Sequence, residues 1–171
     1  MELASLIRDV PDFPVPGILF KDITTLICQP EALKETVDLL TAHYADASID
    51  MVASIESRGF IFGAPLAYHL GAGFVPIRKP DKLPAKSISE SYTLEYGTNI
   101  LEVHEDAIQP GQRVLVVDDL LATGGSALAA VNLMERLGGE IAGVAFVVEL
   151  DFLNGRDKLE EYDVWSLIHF D

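Results

Sequence analysis

The sequence predicts an α/β fold with a mostly parallel central sheet flanked by helices. Three observations lead there. Apolar runs of strand length recur at 51–55, 74–77, 113–117, 140–150 and 163–170, as buried strands require. Helical patterns fill intervals between them, and strands alternating with helices indicate parallel pairing through crossover connections. The chain has 171 residues, 49% of them hydrophobic, which suits one ordered domain over 1–171 rather than a disordered segment.

Met1 to Arg8 reads as a short helical start. From Val10 to Ile27 the pattern changes. Pro11, Pro14, Pro16 and Gly17 break any regular element, and Ile18-Leu19-Phe20-Lys21-Asp22-Ile23 follows as a short extended piece. Glu31 to about Ala45 is an amphipathic helix, with Leu33, Val37, Leu40 and Tyr44 on one side. Met51 to Ile55 is the first strong core strand, and Glu56-Ser57-Arg58-Gly59 turns the chain after it. A helix runs on toward His69, with Pro65 expected near its first turn. Gly71 and Gly73 close it before the strand Phe74 to Ile77.

Arg78 to Ser91 reads as a polar loop. Tyr92 to Glu95 and Asn99 to Val103 form a hairpin around Tyr96-Gly97-Thr98. Gln109-Pro110-Gly111 turns into the central strand, Arg113 to Val117, which ends in two adjacent carboxylates. A short loop, Ala122 to Ser126, leads into a helix with Ala127, Ala130, Val131, Met134 and Leu137 on one face, stopped by Gly138-Gly139. Glu140 to Leu150 and Asp163 to Phe170 complete the strands. In such sheets ligands lie at the carboxyl ends of the strands, where the turns at 56–59, 78–82 and 118–126 can converge.

Composition narrows the function. Lys and Arg number 12 against 27 Asp and Glu, a net charge of −15, which argues against general nucleic-acid binding. A local basic patch can still take an anionic small molecule. No apolar run approaches the ~18 residues of a membrane span, and no signal peptide is visible. The single cysteine, Cys28, excludes an internal disulfide and suits a cytoplasmic protein.

The stretch Val114 to Ser126 carries most of the chemistry. A helix N-terminus offers unpaired N–H groups and a positive dipole end, so it suits a phosphate. Gly124 and Gly125 allow close approach, and Thr123 and Ser126 add donors. Asp118 and Asp119 cannot bind that phosphate; they suit sugar hydroxyls beside it, or a metal. A helix cap plus a solvated acid is the plain alternative, and the loop directly behind the acids outweighs it. Neither G-x-G-x-x-G nor G-x-x-x-x-G-K-[ST] occurs. The stretch therefore points to a phosphorylated sugar. Arg78, Lys79, Lys82 and Lys86 crowd one loop, which favours a second anionic group, although a solvated charge run would look the same. Arg58 adds a cation from another strand end. Arg78 has a second reading, as the partner of an acid inside the fold.

Val114 to Ser126 resembles the 5-phosphoribosyl-1-pyrophosphate (PRPP) motif of type I phosphoribosyltransferases. Phe13-Pro14-Val15-Pro16-Gly17-Ile18-Leu19-Phe20-Lys21-Asp22-Ile23 is similar to the N-terminal signature of the adenine phosphoribosyltransferase family. Glu56-Ser57-Arg58-Gly59-Phe60 and Ser91-Tyr92-Thr93-Leu94-Glu95-Tyr96-Gly97 also look like that family's segments, in its order. The resemblance implies the type I phosphoribosyltransferase fold, with a small base-binding hood over about 1–30 and a flexible flap over 78–103. It implies the reaction adenine + PRPP → AMP + pyrophosphate, a step of purine salvage. Asp118 and Asp119 would hold the ribose, and Ala122, Thr123, Gly124, Gly125 and Ser126 the 5-phosphate. Arg58, Lys79 and Lys82 would meet pyrophosphate. Leu19, Phe20 and Lys21 would read adenine, chiefly through main chain, with Phe20 stacking on the ring. Glu95 would handle the purine proton. Mg²⁺ is expected to arrive on PRPP rather than in a protein cage, and a homodimer is expected. Two alternatives stay open: a phosphoribosyltransferase for hypoxanthine, guanine or xanthine, and a non-catalytic PRPP-sensing regulator.

Overall fold

The computed structural model describes residues 2–94 and 97–171. In chain order the elements are β1 (Arg8–Pro11), β2 (Leu19–Asp22), α1 (Thr24–Ile27), α2 (Pro30–Tyr44), β3 (Met51–Ile55), α3 (Arg58–Leu70), β4 (Gly73–Ile77), β5 (Ser87–Leu94), β6 (Gly97–His104), β7 (Arg113–Leu121), α4 (Gly125–Arg136), β8 (Glu140–Leu150) and β9 (Val164–Phe170). Short 3-10 segments lie at Leu3–Leu6, Asp151–Leu153 and Gly155–Leu159.

Five strands form the central sheet in the order β4-β3-β7-β8-β9, and every pairing is parallel. Successive residues of each strand point to opposite faces, so an unbroken apolar run fills two cores at once. Val52, Leu115 and Val117 meet Val37 and Leu40 of α2 and Phe62 and Leu66 of α3. Ala53, Val75, Val114 and Val116 meet Ala130, Val131 and Met134 of α4, joined by Leu101 and Val103 of β6. Each fully buried side chain of this size contributes about 1.5–3 kcal/mol by leaving water. β3 leads through α3 to β4 on one side, and β7 leads through α4 to β8 on the other. The connections diverge between β3 and β7, and a crevice opens beyond their carboxyl ends.

Four local expectations are corrected. The helical start shrinks to the 3-10 segment Leu3–Leu6, and the irregular stretch expected from Val10 opens instead with a strand: Arg8–Pro11 pairs antiparallel with β2, Arg8 opposite Asp22 and Pro11 opposite Leu19. That long-range pairing supplies hydrogen bonds which no local pattern announces. Pro65 stands inside α3 rather than in its first turn, because the helix starts directly after β3, at Arg58. β5 begins at Ser87, within the expected polar loop, because β6 pairs with it from Ser87↔His104 to Leu94↔Gly97. β7 runs on through Asp118 and Asp119 to Leu121, so the two acids sit inside a strand rather than after one.

The β1–β2 hairpin is tied at its base by Arg8. Its Nε donates to Asp22 Oδ2 at 3.1 Å, while the Thr24 hydroxyl and N–H donate to Asp22 Oδ1 at 2.7 and 2.9 Å. Arg8 first, then Thr24, lowers the Asp22 pKa from 3.8 to about 2. A depressed acid stabilises the fold above its unfolded pKa, and that contribution fades as pH falls through the folded value. Asp22→Asn should therefore lower the melting temperature by about 2–4 °C at pH 6. The gap to the parent should close between pH 4 and 2 in thermal melts followed by circular dichroism; a constant gap would exclude the carboxylate as its cause.

Candidate active site

The diverging ends of β3 and β7 frame a cavity of about 340 Å³, lined by Ile55, Glu56, Ser57, Arg58, Lys79, Tyr92, Leu101, Asp118, Asp119 and Ser126. Five side chains nominated from the sequence meet here: Arg58, Lys79, Asp118, Asp119 and Ser126. They come from three strand ends and one helix N-terminus.

The acids are held in a defined arrangement. Arg58 Nε donates to Asp119 Oδ2 at 2.5 Å, and the Asp119 N–H donates to Asp118 Oδ1 at 2.9 Å. Both aspartates are buried. Burial, then the neighbouring charge of Asp119, pushes the Asp118 pKa well above the ordinary carboxylate range. Two carboxylates this close are poor neighbours in a low-dielectric crevice. They are suited to groups that donate to them, such as the paired hydroxyls of a sugar.

The loop behind them is shaped for an anion. Gly124 caps α4 at φ 82°, a left-handed conformation that glycine adopts without steric cost. The first N–H groups of a helix have no partner within it, and α4 begins at Gly125 beside Ser126. Gly124 also packs on backbone: a Cβ there would lie 2.4 Å from the Gly155 carbonyl oxygen. Ala122, Thr123, Gly124 and Gly125 thus form the frame, while the Ser126 side chain faces the cavity.

The predicted base segment lies beside this cavity. A second cavity, about 260 Å³, is lined by Val10, Phe13, Phe20 and Asp22. The Arg58 guanidinium lies over the Phe20 ring at 5.6 Å, so one side chain touches both regions. Leu19 is 49% exposed on β2 and lines neither cavity. The Lys21 side chain is turned away: Nζ pairs with Asp9 at 2.6 Å and sits 4.0 Å over the Phe170 ring. A role for the Lys21 side chain at a base is therefore not supported by this arrangement, and Lys21 lies in the β1–β2 ladder opposite Asp9.

Among the cations of the basic loop, Lys79 lines the main cavity, whereas Lys82 is exposed and lies outside its lining. Glu56 organises the start of that loop. Its Oε1 accepts the Lys79 N–H at 2.8 Å and pairs with Arg78 Nε at 3.3 Å. Arg78 therefore takes the second of its two readings, an internal partner. The β5–β6 flap is anchored at its root to α4: Arg136 Nη1 donates to the Ser89 carbonyl at 2.6 Å and to Glu90 Oε2 at 2.9 Å. Tyr92 lies so close over the anion loop that a Cβ on Gly125 would meet its ring at 3.2 Å. Glu95 lies outside the described residues. Tyr92 and Glu56 were not singled out from sequence. Both stand in segments that resemble the family, Glu56 directly after the buried strand β3, but neither residue by itself signalled a role.

Comparison with known proteins agrees with this geometry. Residues 25–169 match the family model of the phosphoribosyl transferase domain. The adenine phosphoribosyltransferase of Chloroflexus aurantiacus is 63% identical over 169 residues, covering 99% of this chain and 98% of that one. The crystal structure of the adenine phosphoribosyltransferase from Thermoanaerobacter pseudethanolicus superposes with a TM-score of 0.96 at 52% identity, covering 99% of this chain and 98% of that one. The Saccharomyces cerevisiae enzyme, crystallised with an imino-altritol bisphosphate and adenine, gives 0.93 at 42% identity, covering 97% and 96%. A parallel sheet with its acids and anion loop at one crevice, and near-complete matches in sequence and in structure, lead to one assignment: the chain belongs to the adenine phosphoribosyltransferases of the phosphoribosyl transferase domain family.

Proposed function

We infer that this chain transfers the 5-phosphoribosyl group of PRPP to N9 of adenine, forming AMP and releasing pyrophosphate in purine salvage. One observation carries the reading: paired buried acids, a helix N-terminus and two cations from separate strand ends line a single cavity, and Arg58 joins it to the aromatic cavity of the hood. Each group has a task. The Ala122–Ser126 frame receives the 5-phosphate through N–H groups and the Ser126 hydroxyl. Asp118 and Asp119 accept from the ribose hydroxyls. Arg58 and Lys79 meet the pyrophosphate and offset its charge as it leaves, while Lys82 lies where only loop movement would bring it in. Phe20 stacks on the adenine, and the main chain of 19–21 reads its edge. The C–O bond to pyrophosphate breaks as the C1–N9 bond forms, through an oxocarbenium-like state, and closure of the flap excludes water.

Mg²⁺ belongs to the same reading. Asp118 and Asp119 line the cavity as hard oxygen donors, a pair that would suit a substrate-borne Mg²⁺. When bound, the ion would supply positive charge against the pyrophosphate.

Glu95 is assigned the purine proton. Glu95→Gln should lower kcat by about 10²-fold with little change in adenine KM; near-normal turnover would remove the assignment. We place the enzyme in the cytoplasm, in keeping with its lone Cys28; among the described residues no helix is long and apolar enough to cross a membrane. We also read it as a homodimer. Sedimentation equilibrium tests that reading. The activity itself is tested by PRPP-dependent conversion of labelled adenine to AMP, with hypoxanthine and guanine alongside. Selective use of either other base would overturn adenine as the substrate.

A further inference from the structure

The anion loop is held from behind by a second segment. Lys158, in the 3-10 segment Gly155–Leu159, donates from Nζ to the Thr123 carbonyl at 2.7 Å. Gly155 of the same segment abuts the loop, and a Cβ there would lie 2.4 Å from the Ala122 carbonyl oxygen. The segment is fixed to the sheet in turn. Arg156 donates to both Glu149 oxygens, at 2.7 and 2.8 Å, and to the Val164 carbonyl at 2.8 Å. The Ser166 hydroxyl donates to Glu149 at 2.5 Å, and Leu159 is buried in the core. Lys158 thus reaches the loop from a rigid mount. Ser126 lines the main cavity, whereas neither Gly155 nor Lys158 does.

A trans peptide points its C=O and N–H in opposite directions. A cation holding the Thr123 carbonyl on the rear side therefore turns the Gly124 N–H toward the front. Without that hold the plane is weakly determined, because Gly124 tolerates φ of either sign. A reversed plane would aim a carbonyl oxygen at the phosphate and withdraw a donor. We propose that Lys158 is a positioning residue for the 5-phosphate: its hydrogen bond locks the Thr123–Gly124 peptide so that the Gly124 N–H is presented to that group. This rests on the reading of 122–126 as the 5-phosphate loop.

The test compares parent, Lys158→Met and Lys158→Arg by calorimetry with ribose 5-phosphate, AMP and pyrophosphate, each with Mg²⁺ present. Lys158→Met keeps an unbranched stem and removes the donor, while Lys158→Arg restores one. We expect Lys158→Met to bind ribose 5-phosphate and AMP about tenfold more weakly, the loss of one charge-assisted bond at an exposed position. Pyrophosphate affinity should stay at the parent value, and Lys158→Arg should recover most of the loss. The Gly124 amide resonance should shift in Lys158→Met and return in Lys158→Arg. Equal binding of ribose 5-phosphate by parent and Lys158→Met would overturn the role of Lys158, as would an equal loss for pyrophosphate, which marks general damage. A parent that binds pyrophosphate but neither 5-phosphate ligand would overturn the loop assignment itself.

Discussion

The double variant Asp118→Asn, Asp119→Asn should lose on the order of 10³-fold in kcat/KM for PRPP while melting at a higher temperature than the parent. The first effect follows from the loss of charge on two acceptors. A hydrogen bond to a charged group contributes about 1.5–3 kcal/mol, so two of them amount to roughly 10²–10⁴-fold. The second follows from burial. The Asp118 carboxyl is pushed up by desolvation and then by Asp119. A folded pKa above the unfolded one means that the fold loses stability as pH rises past 3.8, until the folded group also ionises. Asparagine keeps an oxygen for the Asp119 N–H and removes that cost. The Arg58–Asp119 pair is lost as well, but Arg58 is 45% exposed, so its contribution to stability is small. Thermal melts at pH 7 and pH 4 check the sign: the gain should be larger at pH 7, because at pH 4 Asp118 is neutral in the folded parent and only about half ionised in the unfolded chain, so most of the cost has yet to develop. Calorimetry with PRPP checks the rest, and unchanged affinity would remove both aspartates from the ribose.

The contrast between these acids and their surroundings shows what the sequence could reveal. Asp118 to Ser126 was legible because its signals are local: a buried run, two acids, glycines and hydroxyls within a few positions. Arg58 and Lys79 were legible one step further on, since loops after parallel strands gather at one end of the sheet. Tyr92 was not. Its place over Gly125 depends on a hairpin docked to α4 through Arg136 and Glu90, a contact between residues 46 positions apart. β1 was missed for the same reason, since its partner is β2 rather than its own neighbours. Lys21 shows a finer limit. Its alternatives, side chain or main chain at the base, differ only in where Nζ goes, and that is decided by Asp9 and Phe170. Lys158 sits among Arg156, Asp157, Glu160 and Glu161, a run that reads as solvated charge until Thr123 is brought beside it.

Gly124→Ala should cost about as much as the double aspartate change, on the order of 10³-fold in kcat/KM for PRPP. A left-handed φ costs an alanine about 1–2 kcal/mol. The new methyl would also stand 2.4 Å from the Gly155 carbonyl oxygen. Backbone cannot rotate out of the way as a side chain can, so the loop must move, and a displacement near 1 Å at such a site costs about 10²-fold. Gly155→Ala tests the same contact from the other side: its methyl would meet the Ala122 carbonyl oxygen at 2.4 Å and Leu121 Cδ1 at 2.8 Å, although residue 155 belongs to no phosphate motif. Gly125→Ala is the discriminating control. Its nearest neighbour is the Tyr92 ring at 3.2 Å, which can yield by a few tenths of an ångström, so its loss should be the smallest of the three. Steady-state kinetics with PRPP, together with inhibition by ribose 5-phosphate and by pyrophosphate, separates the cases. Gly124→Ala and Gly155→Ala should weaken ribose 5-phosphate and spare pyrophosphate, because Arg58 and Lys79 stand on other strand ends. If Gly155→Ala leaves PRPP kinetics unchanged, the loop holds its shape without its backing, and the phosphate site is defined by α4 alone.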